Sequence, residues 1–342
     1  MQAEEIRLMR LARQHLVQPV SMEKAVRDLC GVQAQFLSNA MHALRIRCHD
    51  FDPVLAQKQL VKSWTLRGTM HVFAREDLPL MLHEGRSHFL RPCDTLEADE
   101  HMTKERKAFF AELITRKIGE GICEREALRA LCAENGMTQT EEESLFNAWG
   151  GVIRALCEAG RICHQVQEKK AFQLCPPFEP MPNAEAELEL ARRYFTHYGP
   201  ATIRDAAYFF AATQKKVRTW LDQLPVQSVA CDERSYFFLP DDEKVTSIPE
   251  CVFLAGFDPL MLGYEKKESL FLPQEHLRGI FNLAGIVMPA VLLHGRVVGR
   301  WKKERKLTVT LFENVTPSQR CMMEQAAHEC WGEEVNVVFT QK

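Results

Sequence analysis

Apolar positions return every three or four residues across 2–16 (QAEEIRLMRLARQHL), the spacing of one face of an α-helix. Ser21 stands where a side-chain oxygen can cap a second helix, MEKAVRDLC, and Gly31 where a glycine can end it. A third helical pattern covers 37–47. In SWTLRGTMHVF (63–73), β-branched and aromatic residues flank Gly68, which predicts a short hairpin.

The same order returns twice. TKERKAFFAELITRKIG predicts a helix ended by Gly119, and EREALRALCAENG one ended by Gly136. TEEESLFNAWGGVIRALCEAG predicts a single helix capped by Thr140 and closed at Gly160. RICHQV and AFQLC then flank the charged turn QEKK as a second hairpin. In the third cycle AEAELELARRYFTHYG ends at Gly199, Thr202 and Asp205 make a capping box for IRDAAYFFAA, and Thr213 caps QKKVRTWLDQL. VQSVA and SYFFL pair around CDER.

Three helices followed by a two-stranded ribbon is the order of a winged helix. The expected fold class is therefore mainly α with small β elements: three tandem winged-helix domains, 1–98, 99–181 and 182–249. Pro182, Pro240 and Pro249 punctuate short linkers at 182–184 and 240–250. From 250 to 342 the strand patterns CVFLAGF, PAVLLHGRVVGRW and KLTVTLF, with one helix before VNVVF, suggest a β-barrel-like domain. Winged helices serve nucleic-acid recognition and protein scaffolding alike, so the fold leaves both open.

Composition narrows this. Hydrophobic residues make up 46% and charged residues 26%, as in soluble globular chains. No run approaches a membrane span, and the acidic, apolar-poor start MQAEEIRLMR is not a signal peptide, so a cytoplasmic chain with no membrane partner is expected. The twelve cysteines form no CxxC pair and no zinc-finger spacing, so they read as core residues in a reducing compartment, with no metal expected. Net charge is −3, without the overall basic footprint of many DNA binders. Locally, however, Arg296, Arg300, Lys302, Lys303, Arg305 and Lys306 face Glu304 alone within eleven residues. That strip is either a solvated hairpin or a phosphate-facing one.

Five segments, GVQAQF, WTLRGTMHVF, YGPATIRDAAYF, GFDPLMLGY and VLLHGRVVGRWK, resemble in sequence and order the marker segments of the AlkZ family. These are winged-helix DNA glycosylases acting on alkylated DNA and interstrand crosslinks. The resemblance implies a concave channel for double-stranded DNA carrying alkylated purines or crosslinks, with a hairpin from the C-terminal domain. It implies that Gln33 and Gln35 are a catalytic pair, in the branch whose second position is glutamine rather than aspartate.

The chemistry suits amides. N7 alkylation makes a purine cationic, so the base departs neutral and needs little protonation. What remains is to hold a water and stabilise an oxocarbenium-like sugar, which an amide can do by accepting and donating hydrogen bonds. Residues i and i+2 share a side on extended backbone but diverge by about 200° on a helix. Cooperation therefore predicts non-helical backbone from Gly31 to Gln35. The plainer reading is two polar residues in an interhelix turn. Arg67 is expected at a phosphate and His71 near the lesion, or else Arg67 braces the wing and His71 packs with its nitrogens satisfied. Arg296, Arg300, Lys302 and Lys303 are expected at DNA. Phe257, Asp258 and Tyr264 either line the channel or form a buried turn with Asp258 capping backbone amides. No lysine stands out for imine chemistry. The expectation is a monomeric, monofunctional glycosylase without cofactor; the alternative is a non-catalytic winged-helix DNA-binding or transcription regulatory protein.

Overall fold

The computed structural model describes residues 1–84, 97–147, 150–240 and 247–341. Part of the linker at 240–250 and of the helix expected over 140–160 lies outside the described residues, as does Cys93; the eleven described cysteines are free thiols. No described helix is long and apolar enough to cross a membrane. The chain divides into two compact units, one formed by 1–52 with 187–342 and the other by 53–186.

The first unit opens with α1 (Ala3–Arg13) and α2 (Met22–Asp28), the latter capped by Ser21. Cys30 and Gly31, with φ of 55° and 79°, reverse the chain out of α2. A two-residue strand β1 (Val32–Gln33) and α3 (Leu37–Arg45) follow.

The second unit begins with α4 (Pro53–Gln59), a helix that the sequence pattern did not predict, and the hairpin β2 (Leu60–Trp64) and β3 (Met70–Ala74). After α5 (Leu78–Met81) come α6 (Lys104–Gly119) and α7 (Arg125–Glu134). The expected single helix over 140–160 is two: α8 (Gln139–Phe146) and α9 (Gly151–Glu158). Gly150 and Gly151 hold φ of 110° and 50°, and a Cβ on Gly151 would stand 2.2 Å from the Ser144 carbonyl oxygen. Two adjacent left-handed residues cannot continue a right-handed helix. The cap of α8 is also Thr138, not Thr140; it exchanges capping-box hydrogen bonds with Glu141. β4 (Ile162–His164) and β5 (Phe172–Leu174) complete the unit. β2 pairs with both β3 and β4, Lys62 opposite His164, so the two ribbons are joined in one sheet. Phe110, Ile114, Leu128, Leu145, Leu156 and Phe172 fill the core beside it.

α10 (Asn183–His197) leads back into the first unit. α11 (Ile203–Phe210) carries the expected capping box of Thr202 and Asp205, and α12 (Gln214–Leu221) is capped by Thr213. The ribbon β6 (Gln227–Cys231) and β7 (Arg234–Phe238) turns through Asp232 and Glu233, both at positive φ.

The remaining elements are β8 (Cys251–Phe253), α13 (Pro259–Leu262), α14 (Leu277–Ile280), β9 (Ala290–Leu293), β10 (Arg296–Lys303), β11 (Leu307–Leu311), α15 (Pro317–Trp331) and β12 (Val337–Gln341). Here the barrel expectation is corrected. The strands form an open sheet in the order β12-β11-β10-β9-β8, with only β11 and β12 parallel. α15 lays Met323 and Ala327 on the sheet core of Phe253, Val291, Leu293 and Val309. A helix that buries the apolar face removes the need for the sheet to close on itself.

Candidate functional site

The segment joining α2 to α3 is non-helical from Gly31 to Phe36, as cooperation of the two glutamines requires. The turn out of α2 is closed by Cys30 N–H to Arg27 O (3.1 Å) and Gly31 N–H to Val26 O (2.8 Å). Val32 and Ala34 are buried, each at 1% exposure. Gln33 is recessed, at 9% exposure, while Gln35 is exposed. Phe36 beside them is 48% exposed, its ring 5.9 Å from that of Phe257. One amide is thus held within the fold and the next on its surface, beside an aromatic face. Amides of this kind can accept and donate hydrogen bonds to a small polar molecule but cannot take its proton.

The α10 segment holds the turn in place. Tyr198 Oη donates to Leu29 O (2.9 Å) and Arg193 Nη1 to Arg27 O (3.3 Å). α3 is fastened from the other end of the sequence. His42 Nε2 lies 2.8 Å from Phe253 O, and its ring stacks on Trp331. Burial lowers the His42 pKa, so the ring is neutral. Asn39 fits against Gly256, where a Cβ would come within 2.7 Å of its amide nitrogen.

Just after α3, Arg47 donates from Nη2 to Asp258 Oδ1 (2.6 Å) and from Nη1 to Asp258 Oδ2 (3.0 Å). Asp258 also accepts from Leu260 N–H (2.9 Å) and so caps α13. Tyr264 donates to Tyr198 O (3.0 Å) and accepts from Gln14 Nε2 (2.9 Å), with the Arg10 guanidinium 3.7 Å from its ring centroid. Asp258 and Tyr264 are buried at 0% and 2% exposure, and Phe257 at 6%. Their polar atoms are spent inside the unit: GFDPLMLGY is the brace of the glutamine segment and its helix. Arg10, His42, Arg47 and Tyr198 share in that work, and sequence patterning did not single them out. An arginine within an apolar helical stripe, as Arg10 is, was the available signal.

Arg67 takes φ 57° in the turn between β2 and β3. His71 is buried, with Nδ1 3.1 Å from Thr69 O and Nε2 3.3 Å from Arg67 Nη2. Nε2 therefore accepts from the guanidinium and Nδ1 donates to the carbonyl. Burial and the neighbouring Arg67 push the His71 pKa down to about 3.

The basic strip is divided between two turns. Arg296 is exposed beside the His294–Gly295 turn, where Gly295 rests on Leu11 and Ile248. Lys302 and Lys303 are exposed at the far end of β10, roughly 20 Å away at about 3.3 Å per residue, and Lys302 pairs with Glu304. Arg300 lies mid-strand, half-buried. Away from the amides, His15, Asp28 and His197 bring three metal-ligand atoms within 4.8 Å of one another.

A family model described as DNA glycosylase AlkZ-like matches residues 26–331. An interstrand DNA cross-link repair glycosylase of Streptomyces sahachiroi is 29% identical, with 93% of each chain covered. The solved structure of Streptomyces sahachiroi DNA glycosylase AlkZ superposes with a TM-score of 0.80 at 24% identity, covering 99% of this chain and 100% of that one.

Proposed function

The chain belongs to the AlkZ-like family of DNA glycosylases, and from that premise we propose that it hydrolyses the N-glycosidic bond of N7-alkylated purines, crosslinked guanines included, with a water positioned by Gln33 and Gln35. The observation that carries this reading is the non-helical Gly31–Phe36 segment, with its recessed and exposed amides two residues apart.

In this mechanism the C1′–N9 bond breaks with its electron pair passing into the purine ring, which cancels the charge at N7. Water adds to C1′, and its proton is lost to solvent. A Gln33 or Gln35 carbonyl oxygen accepts from that water and fixes its approach. Amide N–H donors steady its lone pairs. The charged leaving group supplies the activation that a protonating acid supplies elsewhere.

Arg296, Lys302 and Lys303 have the exposure that phosphate contact needs, and we place them at the duplex backbone with Arg67. His71, neutral and held by Thr69 and Arg67, then shapes the turn that carries Arg67. We further propose that the three helical cycles, 1–98, 99–181 and 182–249, act as three winged helices; capped helices and a ribbon in each support this.

The test is a base-release assay on a duplex containing N7-methylguanine, then on a crosslinked duplex. Release of free base by the parent protein, and its loss in the Gln33→Ala, Gln35→Ala double variant, is the expected result. Equal release by that variant at high enzyme overturns the assignment.

A further inference from the structure

Three helix C-termini meet at one point of the first unit. α1 ends at Arg13 and presents His15, at φ 60°; α2 ends at Asp28; α10 ends at His197. His15 Nε2 lies 2.8 Å from Asp28 Oδ2, and His197 Nε2 lies 3.3 Å from Asp28 Oδ1. His15 is buried, and the other two are largely so. A cleft of about 530 Å³, lined in part by Ser21, Lys24, Asp28, Thr196 and His197, opens beside them.

This is the donor set of a metal site, and its surroundings suit one. Helix C-termini carry partial negative charge, so three of them favour a cation. His197 also hydrogen-bonds the backbone of Arg13; with Nε2 turned to Asp28, Nδ1 is left for that carbonyl. A carbonyl at Nδ1 fixes the tautomer whose Nε2 lone pair binds metal. Tetrahedral zinc, with bonds of about 2.1 Å, separates its ligand atoms by about 3.4 Å. The two separations to Asp28 are close to that, and the whole triad lies within 4.8 Å.

We propose that His15, Asp28 and His197 bind a divalent transition-metal ion, zinc foremost, through both Nε2 atoms and the Asp28 carboxylate, with a water from the cleft as fourth ligand. The ion ties the ends of α1, α2 and α10 together. Asp28 lies three residues before Gly31, so the same clamp fixes the turn that presents Gln33 and Gln35. The role is structural. It revises the expectation of a metal-free chain: His15 and Asp28 stand 13 residues apart and His197 far downstream, a spacing no local motif reveals. Four cations line the cleft; Arg27 is paired with Glu23, and Arg192 and Arg193 with Glu189, which leaves Lys24 as the one that competes at Asp28. Lys24 Nζ sits 2.7 Å from Asp28 Oδ2, but it is half exposed and free to swing into solvent.

The test uses the full chain stripped with chelator and titrated with Co²⁺. The expected result is one equivalent bound, with d–d absorption and no thiolate charge-transfer band, and loss of that signal in His15→Ala and His197→Ala. Lys24→Gln removes an exposed opposing charge and should tighten Co²⁺ binding roughly ten-fold. Zn²⁺ should raise the Tm of the parent and of Lys24→Gln, but not of His197→Ala. No uptake, a thiolate band, uptake unchanged in His197→Ala, or no tightening in Lys24→Gln overturns the site. Should His15→Ala fail to fold, Lys24→Gln still decides.

Discussion

Arg47 and Asp258 form a two-pronged ion pair from which water is wholly excluded, both side chains at 0% exposure. The pair ties the end of α3 to the cap of α13, with further bonds from Arg47 to the carbonyls of Ala43 and Gln14. Removing one member strands the other charge in the interior. We expect Asp258→Ala to cost about 3–5 kcal/mol, and the apolar pair Arg47→Met with Asp258→Leu to cost markedly less. Urea unfolding of the three proteins measures this. A loss below about 1 kcal/mol in Asp258→Ala would show that the pair is not holding α3.

The amide pair makes a kinetic prediction. Loss of water positioning should lower single-turnover base release about 10²-fold in Gln33→Ala or in Gln35→Ala. The double variant should fall by less than the product of the two, because both amides act on one water. Neither amide titrates, so the rate should stay flat between about pH 6 and pH 8. A sigmoidal step in that range, retained in the double variant, would transfer the chemistry to a titrating group.

How much of this was legible in the sequence follows from where each signal resides. Local signals read well. Thr202 with Asp205, Thr213 and Ser21 cap their helices as expected, because capping needs only a side-chain oxygen and an amide three residues on. Gly31 is legible because leaving a helix through a positive φ is a local demand that glycine meets without strain. Apolar spacing continues across Gly150–Gly151 and so predicts one helix, and only the left-handed backbone shows the break. Non-local features were closed to such reading. Nothing in KLTVTLF says that α15 will cover the sheet and leave it open. Asp258 has one sequence and two possible fates, channel or brace. Only the arrival of Arg47, 211 residues away, reveals that its carboxylate is engaged in an ion pair.

The divided basic strip sets up a salt experiment. Neutralising a side chain that meets one phosphate should reduce the slope of log K against log salt by about one. We expect Arg296→Gln and Lys303→Gln each to do so, because both side chains are exposed. Lys302→Gln should have a smaller effect, since Lys302 is already paired with Glu304. Arg300, half-buried in mid-strand, should change the slope least. Binding of an undamaged duplex at several salt concentrations provides the slopes, and slopes unchanged from the parent in all four variants would return the strip to solvent.

Two buried histidines of the second unit make its stability sensitive to acid. His71 and His164 are both pushed to about 3, His71 by burial and Arg67, His164 by burial and Lys62. His164 lies between the rings of Trp64 and Phe172, with Nε2 buried and lacking a hydrogen-bond partner. The folded protein thus keeps both rings neutral, while the unfolded chain protonates them near pH 6.5, the usual value. Below that pH the unfolded state binds more protons, so stability falls as pH falls. The contribution is complete above about pH 6.5 and is lost progressively as pH falls toward 3. Each ring should add up to about 1.4 kcal/mol of lost stability per pH unit across this window. Replacing one of them, His164→Phe, removes one proton from the difference and should make urea midpoints between about pH 6 and pH 5 correspondingly less steep. An unchanged steepness in that variant would mean that His164 is already protonated in the fold.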